Sequence, residues 1–194
     1  MSGSFVLVTG GARSGKSRLA EDLAARAGTR VTYVATSEPL DDEMKERIET
    51  HRKRRSHDWT TVEEPLAVAE AVLEQGRASD AVIVDCVGIW VSNLLLRQPS
   101  GMPYAERCRD VLDRAHSLID AAKQVPATVI LVSNEVGSGV VPDYVLGRVF
   151  RDALGWSNQA IADAADHVFL TVAGIPVDVK ALGHRPSSAK EAPR

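Results

Sequence analysis

Gly10-Gly11-Ala12-Arg13-Ser14-Gly15-Lys16-Ser17 sets a glycine, four intervening residues, a second glycine, a lysine and a serine in succession. Glycines at that spacing let backbone N–H groups curl around an anion. The lysine reaches the β- and γ-phosphates of a nucleoside triphosphate, and the serine hydroxyl suits Mg²⁺. The flanks agree: Phe5-Val6-Leu7-Val8 has strand composition, and Arg18-Leu19-Ala20-Glu21-Asp22-Leu23-Ala24-Ala25 repeats apolar positions at helical spacing. Strand, glycine-rich loop and helix N-terminus together read as a P-loop, with the helix end adding partial positive charge where phosphate would sit.

Two further stretches carry groups that could act on a bound triphosphate. Ala81-Val82-Ile83-Val84-Asp85 is short, apolar up to its last residue and rich in branched side chains. It reads as a buried parallel strand delivering a carboxylate at its C-terminal end, the place of a Walker B partner for Mg²⁺. The other stretch is basic. Leu40, Met44, Ile48 and His51 share one face of a helix opening at Asp41-Asp42 and running to about residue 55, and Arg47 and Arg55 flank the histidine by one turn. With Arg52, Lys53 and Arg54 this is either a solvated positive face or a triphosphate clamp beside a nucleophilic imidazole. Nucleophilic attack needs neutral imidazole; neighbouring cations favour that form and the helix C-terminus opposes it.

A chain of 194 residues makes one ordinary domain that buries enough surface to fold without a disulfide or metal staple. Cys86 and Cys108 lie far apart, which suggests neither a zinc site nor a disulfide scaffold. A net charge of −3 argues against general nucleic-acid binding. No apolar run reaches the length of a membrane span, and Met1-Ser2-Gly3-Ser4 lacks signal-peptide features, so a cytoplasmic location is expected.

Further strands are predicted at Val31-Thr32-Tyr33-Val34-Ala35, at Thr128-Val129-Ile130-Leu131-Val132-Ser133 and, as the last, over 167–173; Trp59-Thr60-Thr61-Val62-Glu63 reads as a short extended segment. Helices are predicted over 65–73, 104–123 and 143–165, with Gly155 a candidate break. Asn134-Glu135-Val136-Gly137-Ser138-Gly139 follows a strand, where ligand loops gather, although a tight strand-to-helix turn is the plain alternative. Alternating strands and helices give an α/β class with a mostly parallel sheet flanked by helices, a single domain over 1–182, and a disordered tail over 183–194.

Taken together, several motifs resemble those of the bifunctional adenosylcobinamide kinase/adenosylcobinamide-phosphate guanylyltransferase family of cobalamin biosynthesis. They are the P-loop, Ala35-Thr36-Ser37, Asp41-Asp42-Glu43-Met44 with Arg47-Ile48, His51 and Arg55, Asn134-Glu135-Val136-Gly137-Ser138-Gly139-Val140-Val141-Pro142, and Phe150-Arg151-Asp152 with Gly155, Asn158 and Gln159. The resemblance covers nearly the whole chain, from Val6 to about Lys180. It implies that ATP or GTP phosphorylates adenosylcobinamide, and that GMP then passes from GTP through a histidine to adenosylcobinamide phosphate, giving adenosylcobinamide-GDP. On this chain His51 would be the guanylylated nucleophile and Lys16 a catalytic group. Gly10, Gly11, Ala12, Arg13, Ser14, Gly15, Lys16 and Ser17 would hold phosphates. Ala35, Thr36, Ser37, Arg52, Lys53, Arg54 and Arg55 would bind GTP, and Glu63 and Asp85 would complete the nucleotide site. Ser17 and Asp85 would hold Mg²⁺. A homo-oligomer, trimeric by resemblance, is also implied.

The chain departs from some relatives in two places: Thr50 precedes His51 where they carry a second histidine, and Asp85 stands where they carry Glu. His57 is the nearby alternative to His51 but has no arginine four residues on. Two other functions stay open on the residues alone. One is a simple P-loop small-molecule kinase with a structural His51. The other is a GTP-binding switch, since Asp85-Cys86-Val87-Gly88 fits D-x-x-G although no N-K-x-D motif follows.

Overall fold

The structure, a computed structural model, describes residues 3–38, 42, 45, 46, 49, 52, 56 and 58–183. Among the described residues, seven runs of branched and apolar residues form strands: β1 (Phe5–Gly10), β2 (Val31–Ala35), β3 (Thr60–Glu63), β4 (Ala81–Asp85), β5 (Thr128–Val132), β6 (His167–Val172) and β7 (Ile175–Asp178). Between and after them lie α1 (Lys16–Ala27), α2 (Val68–Gln75), α3 (Val87–Arg97), α4 (Tyr104–Gln124), α5 (Val145–Ala164) and the single turn α6 (Val179–Leu182). The strands form one sheet in the order β3-β2-β4-β5-β1-β6-β7, parallel throughout except for the antiparallel β6–β7 pair. This is the mostly parallel α/β sheet expected from the alternation of elements.

The pleat sorts side chains to two faces, because successive residues of a strand point to opposite sides. Phe5, Leu7, Val34, Val82, Val84, Val129 and Leu131 join the larger core under α2, α3, α4 and α5. Val6, Val8, Val31, Tyr33, Ile83, Ile130 and Val132 join the smaller one, against α1. Helix α1 lies across β4 and β5 through Ala20 and Ala24, both fully buried, whose small side chains allow close approach. Lys16 lies on the same i, i+4 row, so the P-loop lysine starts the buried stripe.

Several boundaries differ from the sequence expectation for definite reasons. Helix α2 starts at Val68 rather than at Pro65, because the Glu64 carboxylate accepts from the amides of Leu66 (2.9 Å) and Ala67 (2.8 Å) and organises a turn first. Helix α5 runs through Gly155 without a break. A mid-helix glycine costs about 1 kcal/mol, and burial of Ala153, Leu154, Ser157 and Ile161 outweighs it. The strand expected to be last is followed by another: Ala173 (φ 51°) and Gly174 (φ 82°) turn the chain back into β7. Positive φ at both central residues is the two-residue hairpin geometry that matches strand twist. Helix α3 is not anticipated from the sequence at all. It buries Val87, Gly88, Trp90, Val91, Asn93, Leu94 and Leu95, so it has no polar stripe to give a 3.6-residue period.

Of the basic helix predicted from Asp41-Asp42 to about residue 55, residues 42, 45, 46, 49 and 52 are helical and exposed. His51, Lys53, Arg54 and Arg55, with the competing His57, lie outside the described residues. So does the predicted tail from residue 184 onward.

Candidate nucleotide site

Residues 10–17 join β1 to α1 at the C-terminal edge of the sheet. Gly11, Ala12 and Arg13 are exposed, whereas Ser14 and Lys16 are buried. Gly15 caps α1 with φ 100°, and the first helical hydrogen bond runs from the Leu19 amide to the Gly15 carbonyl (3.1 Å). The amides of Lys16, Ser17 and Arg18 therefore precede the helical ladder, and no side chain caps them. That is the donor array an anion needs at a helix N-terminus. The Lys16 ammonium arches over the loop, donating to the carbonyls of Gly10 (3.0 Å) and Gly11 (2.7 Å).

Burial pulls the Lys16 ammonium below its ordinary pKa, and negative charge at Cys86 and Asp85 opposes the shift. Burial also pushes the Cys86 thiol up to about 12, so at neutral pH the thiol carries its proton. Asp85 ends β4 on the same pleat face as Ala81 and Ile83, the α1 face. Strand β5 separates β4 from β1, yet Ser17 on α1 reaches across and donates its hydroxyl to Asp85 Oδ2 (3.0 Å). The Tyr33 hydroxyl donates to the same oxygen at 2.5 Å. Tyr33 is the fully buried β2 residue paired with Ile83, which sets its phenol diagonal to Asp85.

These atoms suit Mg²⁺. Among the described residues no three His, Cys, Asp or Glu side chains gather into a cage. A nucleotide-bound Mg²⁺ needs only one or two protein oxygens, the rest coming from phosphate and water. Ser17 Oγ and Asp85 are hard oxygen donors on adjoining elements, the donor chemistry that ion prefers.

The neighbouring strand ends are level with Asp85, since Ala35 pairs with both Asp85 and Glu63. Ala35 is buried and Ser37 half-buried. Thr36 is fully buried, and its hydroxyl accepts from the Cys86 amide (2.8 Å) while donating to the Cys86 carbonyl (2.9 Å). Its side chain thus ties β2 to the chain after β4, leaving any ligand contact in this tripeptide to the backbone or to Ser37. Asn93 reinforces the tie by donating to the carbonyls of Thr36 (2.8 Å) and Pro65 (3.2 Å). Glu63 is exposed and ion-paired with Arg52, which joins the described part of the basic helix to the end of β3. Exposed pairs of this kind hold little energy, so a phosphate could exchange for the carboxylate.

The 134–139 loop is tied to the same edge. The Glu135 amide donates to the Gly10 carbonyl (3.0 Å). Asn158 on α5 accepts from Ser133 Oγ (2.6 Å) and donates to the Asn134 carbonyl (3.0 Å). The Arg151 guanidinium reaches the Gly137 carbonyl (2.7 Å). Gly88, the glycine of the D-x-x-G pattern, is buried in the first turn of α3, where a Cβ would come 3.1 Å from Asn134 Nδ2. Close packing accounts for that glycine.

Lys16, Ser17 and Asp85 thus stand together at this edge; Glu63 pairs with Arg52, and Thr36 turns inward. Residue-level reasoning misses Tyr33, Asn93 and Thr171. Tyr33 alone carried a signal, a lone phenol in the buried strand preceding a P-loop partner strand.

A parallel α/β sheet with a glycine loop at the C-terminal end of β1, a lysine over that loop and a serine–aspartate pair beside it defines a P-loop nucleotide-binding protein. More narrowly, the chain belongs to the cobinamide kinase / cobinamide phosphate guanyltransferase family, whose model matches residues 6–179. It is 45% identical over 174 residues to the bifunctional adenosylcobalamin biosynthesis protein CobP of Pseudomonas aeruginosa, covering 90% of this chain and 96% of that one. It is 44% identical over 181 residues to the bifunctional adenosylcobalamin biosynthesis protein CobU of Escherichia coli, covering 91% of this chain and 99% of that one. The Salmonella typhimurium protein of the same name matches at the same identity and coverage.

Proposed function

We propose that this protein phosphorylates adenosylcobinamide with ATP or GTP and then transfers GMP from GTP to adenosylcobinamide phosphate, giving adenosylcobinamide-GDP. The observation that carries the reading is the convergence of Lys16, Ser17 and Asp85 beside the amides of the 10–17 loop, in a chain of this family.

In the first reaction the amides of the loop and the Lys16 ammonium hold the β- and γ-phosphates. The substrate hydroxyl oxygen forms a bond to the γ-phosphorus as the bond from that phosphorus to the β-bridging oxygen breaks, and the hydroxyl proton is released. Lys16 stabilises charge growing on the leaving diphosphate, and its lowered pKa marks an ammonium held in a partly dehydrated place where that charge counts more. Ser17 and Asp85 would hold Mg²⁺, which when bound neutralises phosphate oxygens.

In the second reaction His51 is the nucleophile. Its imidazole nitrogen bonds to the α-phosphorus of GTP, the bond to the β-bridging oxygen breaks, and pyrophosphate leaves. A phosphate oxygen of adenosylcobinamide phosphate then forms the new bond to that phosphorus while the nitrogen–phosphorus bond breaks and restores His51. Splitting the transfer in two lets the large substrates bind in turn. Arg52, Lys53, Arg54 and Arg55 would hold the triphosphate, with Arg52 moving from Glu63 to phosphate, and Ala35, Thr36 and Ser37 would form the wall beside it. The same reading places the work in the cytoplasm and in a trimer. The exposed Val140, Val141, Tyr144 and Val145 next to the 134–139 loop support a partner surface there.

The test is incubation of the full chain and of His51→Ala with Mg²⁺ and GTP radiolabelled at the α-phosphate, followed by denaturing electrophoresis and acid treatment. An acid-labile label on the wild type alone is expected, with kinase activity retained in the variant. No label on a wild type that still phosphorylates adenosylcobinamide would reduce the function to a simple kinase.

A further inference from the structure

We propose that Thr171, together with the Ala173–Gly174 turn, braces the P-loop from the opposite end of the chain and is a positioning residue for the bound triphosphate. The proposal rests on the assignment of residues 10–17 to phosphate binding.

Strand β6 lies beside β1 with Thr171 paired to Gly10. Thr171 is buried, and its hydroxyl donates to the Thr9 carbonyl (3.1 Å). Its one proton being so used, the 2.8 Å contact with Ser14 Oγ has Ser14 as donor. One turn further on, the Gly174 amide donates to the Ser14 carbonyl (2.9 Å). Ser14 is therefore held through both its side chain and its backbone by the hairpin. The two loop glycines abut the same hairpin: a Cβ at Gly10 would fall 2.4 Å from the Thr171 carbonyl oxygen, and one at Gly15 would fall 3.2 Å from Gly174 Cα. Both ends and the middle of the phosphate loop thus take their shape from β6 and the turn after it.

Two consequences follow from that geometry. The Ser14 hydroxyl is turned inward to Thr171, so Ser14 serves phosphate through its backbone. The curvature that aims the loop amides is fixed before a ligand arrives, which lowers the ordering cost of binding. Loss of the Thr171 hydroxyl frees the Ser14 side chain and leaves the Thr9 carbonyl without that donor, so the loop, held then only by the Gly174 amide, samples other shapes.

The experiment is calorimetric titration of GTP, at fixed Mg²⁺, into the full-length wild type, Thr171→Val, Thr171→Ser and Gly174→Ala, with thermal unfolding of each. A purely structural hydroxyl would lower the unfolding temperature and leave the Kd of the folded protein unchanged. The brace predicts a Kd raised about tenfold in Thr171→Val, the worth of one buried hydrogen bond, and restored to within about threefold in Thr171→Ser. Should Thr171→Val not fold, Gly174→Ala carries the test. A Cβ there meets open space, so only the backbone at φ 82° is strained, and the Kd rises about threefold or more. Wild-type Kd in Thr171→Val, or in Gly174→Ala where that variant carries the test, would overturn the brace alone. A wild type that fails to bind GTP would overturn the phosphate assignment and the brace with it.

Discussion

Replacing Tyr33 by Phe isolates the buried hydrogen bond that orients Asp85. The ring is almost wholly buried on β2 and Phe occupies the same space, so no cavity opens and only the hydroxyl is lost. A hydrogen bond to a charged acceptor contributes about 1.5–3 kcal/mol. The low end applies, because Asp85 keeps its bond from Ser17 and is only half-buried, so water can replace the phenol. With an m-value of about 2–3 kcal/mol/M, a loss of about 1.5 kcal/mol lowers the urea midpoint by about 0.5–0.75 M. The buried Trp90 provides the fluorescence signal. Freed on one side, the Asp85 carboxylate also loses its fixed direction, so the Mg²⁺ concentration for half-maximal GTP binding should rise severalfold. An unchanged midpoint together with an unchanged Mg²⁺ requirement would show that the Tyr33 hydroxyl neither stabilises the fold nor orients Asp85. A loss above about 3 kcal/mol would show that water does not take the place of the phenol and that Asp85 is left short of a partner.

Two other perturbations test other links in the argument. Gly10→Ala should destabilise by more than about 3 kcal/mol and abolish GTP binding, since its Cβ would meet the Thr171 carbonyl oxygen at 2.4 Å on a backbone at φ 151°; a stable, GTP-binding variant in urea and titration measurements would contradict the packing described. Asp80 accepts from the Arg30 side chain and from the amides of Arg30 and Thr29, which together hold its carboxyl below the ordinary value of 3.8. A depressed folded-state pKa gives stability that is present above that value and is lost as pH falls through the folded one. Urea midpoints at about pH 5 and about pH 3 should therefore differ less in Asp80→Asn than in the wild type, and equal differences would exclude the linkage.

The parts of the site legible in the sequence are those that neighbouring residues encode. The 10–17 loop shows in glycine spacing between a strand and a helix, and Asp85 in an apolar run that ends on a carboxylate. Helix α3 is illegible for the opposite reason: its outward face carries Ile89 and Leu96, apolar like the buried faces, which removes the polar stripe by which an amphipathic helix is recognised. The hairpin that adds β7 hides in Ala173-Gly174, because alanine is an unusual choice for a position at positive φ.

The α/β class, the glycine loop over 10–17, the carboxylate that ends β4 and the family can all be read along the chain. Each rests on local backbone preference or on an order of motifs along the chain. Folding in three dimensions is what brings Tyr33 and Ser17 onto one oxygen of Asp85, turns Thr36 inward to Cys86 and sets Thr171 against Ser14. Those contacts join residues about 50 to 160 positions apart. They exist because sheet order and strand register bring particular pleat faces together, and no short-range preference specifies either.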